Sequence, residues 1–171
     1  MGERLGRAAA ILVASMLAAP ALASCGGSTP PEPRVAVVEA FTIPGEGELA
    51  VYLSLSNTGG RDEIVGAALV GPDAGRADRI TLHAAVERDG LSIMQPAASI
   101  EVTADAVTGL DPGRAHLMLE GLDGPVGMGD ELQLEIRFRR SAALRATVQV
   151  VTADEALERI EAGDGSGSGP R

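Results

Sequence analysis

The strongest constraint on this chain is a period of two. Between Val35 and Val151 apolar residues recur at alternate positions in short runs, most cleanly at Leu49, Val51, Leu53 and Leu55 and at Leu132, Leu134, Ile136 and Phe138. Such alternation puts every second side chain on one face of an extended strand. Strands are expected at Val35–Phe41, Leu49–Ser56, Ile64–Val70, Arg79–Val86, Ser99–Ala104, Ala115–Gly121, Glu131–Phe138 and Leu144–Val151. Turn formers separate them: Pro44-Gly45, Asn57-Thr58-Gly59-Gly60, Gly71-Pro72-Asp73, Asp89-Gly90, Asp111-Pro112-Gly113 and Gly129-Asp130. Short strands at this spacing fit an antiparallel sandwich or barrel. No interior stretch has a helical period, and there is no internal repeat. With one Tyr, two Phe and no Trp, the core must be built from Val, Leu, Ile and Ala.

The ends read differently. Arg4 and Arg7 precede an apolar run from Ala8 to Ala21, too short for a comfortable bilayer span, which takes about 20 residues. It fits an export signal. Leu22-Ala23-Ser24-Cys25 resembles a bacterial lipobox, in which the cysteine becomes the lipidated first residue; the plainer alternative is secretion with cleavage after Ala21 or Ala23. The expected organisation is a lipoprotein signal peptide at 1–24, lipidated Cys25 and a tether to 34, a folded domain at 35–152, and a flexible tail at 153–171. Within that tail, Asp154–Ala162 could form a short helical turn. This places the protein outside the cytoplasm, held on the bacterial cell membrane through its lipid anchor only.

Cys25 is the only cysteine. Once lipidated, it leaves the domain no disulfide, thiolate metal site or thiol nucleophile, so a blue-copper electron-transfer centre is excluded. The formal charge is −10 with 14 basic residues, all Arg, against 24 acidic. Without Glu3, Arg4 and Arg7 the balance is 12 against 23, or −11. Nucleic-acid binding needs the opposite sign. An acidic surface serves solubility, or it attracts cations or a basic partner.

Two histidines and three methionines remain after the signal: His83, His116, Met94, Met118 and Met128. In Ala115-His116-Leu117-Met118-Leu119, the leucines take the core face and leave His116 and Met118 together on the outer one. In the same way Ile80, Leu82 and Ala84 turn His83 outward. Met94 follows the Asp89-Gly90 turn, where the chain can double back towards His83. Imidazole suits several transition metals, whereas thioether sulfur is soft and favours Cu(I) over Zn(II), Mg or Ca. Taken alone, the set is open between such a site and surface histidines with packing methionines. Met128 reads as a packing or surface residue. A hydrolase is not expected, since with both histidines in the candidate metal set no spare base is left for a triad.

The spacing His83-x10-Met94-x21-His116-x-Met118 matches the signature of the periplasmic CuA copper chaperones, the PCu(A)C family. The resemblance extends from Val35 to Val151. It includes Ala50-Val51-Tyr52-Leu53-Ser54-Leu55-Ser56-Asn57-Thr58-Gly59, Ile64-Val65-Gly66-Ala67, and Ala115 to Leu122 followed by Pro125 and Gly129-Asp130. It implies a cupredoxin-like antiparallel Greek-key β-sandwich whose ligands are His83, Met94, His116 and Met118 near solvent. It also implies delivery of Cu(I) towards the CuA centre of cytochrome c oxidase, with subunit II or its assembly factors as partners. The chain departs from many relatives at Ala85, Ser92, Ile93 and Ala115, and its tail lacks His and Met. One copper ion per domain is therefore expected. Transfer would proceed by ligand exchange, with His116 and Met118 as a rigid pair and Met94 the more mobile ligand. Other readings are a copper-buffering lipoprotein without an oxidase client, and a metal-free scaffold or adhesive sandwich.

Overall fold

The computed structural model of the protein describes residues 30–164. Ten strands and one helix follow in order: β1 (Val35–Thr42), β2 (Gly45–Asn57), β3 (Asp62–Leu69), β4 (Arg79–Arg88), β5 (Leu91–Ala97), β6 (Ile100–Val102), β7 (Ala106–Leu110), β8 (Ala115–Val126), β9 (Glu131–Phe138), β10 (Leu144–Val150) and α1 (Ala153–Asp164). The strands join in the order β5-β4-β8-β2-β1-β10-β9-β3-β6, with β7 also on β2. β2 is the spine. Its first half pairs with β8 and its second half with β7, while β1 runs along its other side. All of these ladders are antiparallel except β1–β10, which is parallel through Phe41↔Gln149 and Thr42↔Val150.

The sheet closes over one core. Leu82, Leu117 and Leu119 from the β4–β8 side pack in the same cluster as Ile64, Leu132, Leu134 and Ile136 from the β3–β9 side. Leu117, Leu119, Leu132, Leu134 and Ile136 are wholly buried, each contributing about 1.5–3 kcal/mol. The all-β sandwich with an aliphatic core is the architecture that the alternation predicts.

Two strands escape the sequence pattern. β5 is an edge strand with Leu91, Ser92 and Ile93 exposed. It has no buried face to impose alternation, and its Pro96 is tolerable only at an edge. β4 and β5 form a hairpin through Asp89 and Gly90, both at positive φ (54° and 77°), as a tight Asp-Gly turn requires. β7 is short and contains Gly109.

Both ends of the domain hold more structure than the sequence suggests. α1 covers the Asp154–Ala162 stretch expected to form a short helical turn, and it is docked on the domain where a flexible tail is expected. A capping box starts it: Glu155 N–H donates to Thr152 Oγ1 (3.1 Å), and Thr152 N–H donates to Glu155 Oε2 (2.9 Å). Ala156 and Ile160 pack against Phe41, Tyr52 and Val151 in a second small cluster on the outer surface of the sheet. Arg159 donates to Glu39 (2.8 Å) and lies over the Phe41 ring. At the other end, part of the expected tether is docked. Thr58 N–H donates to Arg34 O and Gly60 N–H to Glu32 O, both at 3.2 Å, and Arg140 donates to Pro31 O (3.1 Å). Gly59 and Gly60 permit this approach, because a Cβ on either would collide with the carbonyl oxygen of Glu32 or Pro31. Cys25, the signal and the end of the tail lie outside the described residues. Among the described residues no helix is long and apolar enough to cross a membrane.

Candidate metal site

Strand register brings the four candidate ligands to one face. On β4 and β8, His83 stands directly opposite His116, and Thr81 opposite Met118. On β4 and β5, Ala85 stands opposite Met94. Side chains directly opposite in an antiparallel ladder share a face, and residues two apart on a strand do so too. His83, Met94, His116 and Met118 therefore project from the same side of the β5-β4-β8 sheet. The imidazoles form its centre, with ring centroids 5.1 Å apart. Met118 lies diagonally from His83 towards one end, and Met94 lies diagonally towards the other. Met128 is exposed in the β8–β9 connection, as a surface residue would be.

The outer face is not uniformly wet. Alternation predicts an outward His116, and it does share the outward face, but it is 9% exposed. The cause is an aromatic relay from a distant part of the chain. Tyr52 meets His116 edge-on with centroids 6.1 Å apart, and Phe41 stands 5.7 Å beyond Tyr52. Phe41 is covered in turn by α1 through Ala156 and Arg159. The Nε2 of His116 is buried and has no hydrogen-bond partner among the described residues. Burial first, and the charge of His83 second, holds this imidazole below its ordinary pKa. The neutral form, which carries a lone pair, is thereby favoured.

His83 has a different environment. Its Nε2 lies 3.3 Å from Thr81 Oγ1, and that hydroxyl donates to Glu120 Oε1 at 2.7 Å. Glu120 Oε2 accepts from Arg79 Nε at 2.8 Å and is ion-paired with the same guanidinium. The Arg79 guanidinium, followed by the Thr81 hydroxyl, holds the Glu120 carboxyl below the usual carboxylate range. Thr81 and Glu120 were findable in the sequence, since each lies two residues from a candidate ligand on the same face. Tyr52 and Phe41 carried no local signal of their proximity to His116.

Among the described residues no group of three or more His, Cys, Asp and Glu is placed to hold a metal. A metal on this face would take thioether sulfur as well as imidazole nitrogen. That donor set is soft, neutral and free of thiolate.

A family model for LpqE-like proteins, described as candidate lipoproteins, matches residues 30–150. The chain belongs to the LpqE-like family. A candidate lipoprotein of Leifsonia xyli subsp. xyli (strain CTCB07), Lxx21020, is 32% identical to this LpqE-like chain over 107 residues. The match spans 62% of this chain and 62% of that relative's length. Among solved structures, the apo PCuAC domain from PmoF1 is similar with a TM-score of 0.57 at 16% identity, covering 69% of this chain and 93% of that domain. The copper-bound PCuAC domain from PmoF2 gives 0.55 at 12%, covering 69% and 92%. CuI-DR1885 from Deinococcus radiodurans gives 0.54 at 21%, covering 78% and 87%. Likeness at these identities concerns the fold. This LpqE-like chain has the cupredoxin-like β-sandwich of PCuAC domains, as its resemblance to the PCu(A)C family implies.

Proposed function

We propose that this LpqE-like protein is an extracytoplasmic Cu(I) metallochaperone, anchored through a lipid on Cys25, that binds one copper ion with His83, Met94, His116 and Met118. The observation that carries the reading is His116. A buried imidazole nitrogen without a partner costs free energy unless something satisfies it. This one lies beside a second imidazole, on a face shared with two methionines. The structural neighbours add weight, since two of them are copper-bound and Cu(I) forms of the same fold.

The proposed role is transfer rather than catalysis. Thioether ligands leave one at a time, and an incoming soft ligand can replace them. Met94, on the exposed edge hairpin, is the ligand an acceptor would displace first. His116, packed under Tyr52, would leave last. The proposed acceptor is the CuA centre of cytochrome c oxidase, and a lipid anchor would raise the donor's concentration near such a membrane-bound client.

An anaerobic Cu(I) titration of the full chain in detergent, against a chromogenic chelator, tests the site. One tight equivalent is expected, weakened in His116→Ala and in Met94→Ala. Transfer to a purified CuA domain should become faster in Met94→Ala, since the ligand that the acceptor displaces first is already gone, and an unchanged rate would overturn that role. Absence of competition by the wild-type chain would overturn the copper reading. Normal oxidase activity in a deletion strain at low copper would overturn the client.

A further inference from the structure

The outer-shell hydrogen bonds decide which nitrogen of His83 faces a metal. Glu120 is a carboxylate paired with Arg79, so at its other oxygen it can only accept. The Thr81 hydroxyl has one proton, and the 2.7 Å contact to Glu120 Oε1 uses it. A hydroxyl–carboxylate bond of this length is charge-assisted and outcompetes a neutral one. Thr81 Oγ1 therefore turns a lone pair towards His83 Nε2, 3.3 Å away. A lone pair on that nitrogen would face another lone pair. A proton there makes a hydrogen bond instead.

We infer that Thr81 is a positioning residue: it holds His83 as the Nε2–H tautomer and leaves Nδ1 as the nitrogen that binds the metal. The order is Arg79, Glu120, Thr81, His83, all on one face of β4 and β8. It is a carboxylate–hydroxyl–imidazole relay of the kind that orients metal-binding histidines and makes them better donors. His116 has no such partner on its Nε2, so the two histidines of the site are not equivalent. The assignment of a ligating nitrogen rests on the copper reading; the tautomer of the metal-free protein does not.

The chain has two histidines, so a long-range proton–nitrogen NMR spectrum of the full, untagged, 15N-histidine-labelled chain in detergent contains two ring systems. His83→Gln assigns them. In the metal-free protein the expected His83 pattern is a single Nε2–H tautomer. In Thr81→Val, which keeps the branched shape suited to a strand, that pattern should collapse towards the exchanging mixture of a free imidazole, and Thr81→Ser should restore it. On adding Cu(I), the His83 signal that moves should be Nδ1, while Nε2 keeps its proton. Copper affinity should fall about tenfold in Thr81→Val and recover in Thr81→Ser. An Nδ1–H tautomer in the wild type, a pattern identical in wild type and Thr81→Val, or copper on Nε2 would each overturn the inference. Failure to bind copper, with the tautomer pattern as expected, would overturn the proposed function and leave the role of Thr81 standing.

Discussion

Lowering the pH should release copper less steeply through His116 than through an ordinary imidazole. An imidazole titrating near 6.5 is about 90% neutral at pH 7.5 and about 10% neutral at pH 5.5, so proton competition weakens its ligation about tenfold across that window. In this site His116 is held below the ordinary value by burial under the Tyr52 ring side and by the neighbouring His83. Its share of the loss should therefore be under about tenfold. The assay is an anaerobic Cu(I) competition at several pH values, corrected for protonation of the chelator, with far-UV circular dichroism recorded at each. In His83→Gln, which leaves His116 the single imidazole of the site, a loss of about tenfold or more with the fold intact would refute the protection of His116. No loss at all in the wild type would refute imidazole ligation. The same shift has a stability consequence in the metal-free protein. Because the folded value lies below the unfolded one, the contribution of neutral His116 is complete above about pH 6.5 and is lost as pH falls through the folded value. Denaturant unfolding should show that decline in the wild type, and the decline should flatten in His116→Gln.

Other perturbations probe other parts of the argument. Met118→Leu keeps size and apolarity, so it should cost under about 1.5 kcal/mol of stability. It should still weaken Cu(I) binding at least about tenfold; unchanged binding would remove Met118 from the ligand set. Phe41→Ala should cost about 3–5 kcal/mol in urea unfolding, because Phe41 is 5% exposed and joins α1 to Tyr52; a loss below about 1 kcal/mol would show that the outer cluster does not hold the helix. Gly60→Ala forces a Cβ into the Pro31 carbonyl, and the expected result is faster proteolysis within residues 30–34 than in the wild type. Equal rates would refute the docking of that segment.

Much of this molecule is legible in its sequence, for a physical reason. A half-buried strand must alternate, so Leu49 to Leu55 and Leu132 to Phe138 announce themselves, and the same alternation sets His83, His116 and Met118 opposite the core face. The Asp89-Gly90 pair imposes a tight hairpin, which carries Met94 back beside β4. An edge strand has no buried face to write into its pattern, so β5 and its register were decided by pairing with β4. Burial of His116 is likewise absent from its neighbours in sequence. It depends on Tyr52, on Phe41 behind it, and on a helix more than thirty residues downstream, which meet only once the sandwich is closed. The hydroxyl bridge from Thr81 to Glu120 has the same origin: its two ends lie 39 positions apart and touch because β4 and β8 are neighbours. Sequence by itself determined which side chains share a face, since that follows from local backbone geometry. Tertiary structure alone decided which of them are dry, which are hydrogen-bonded and through which atom, since those depend on what packs against the face from elsewhere in the chain.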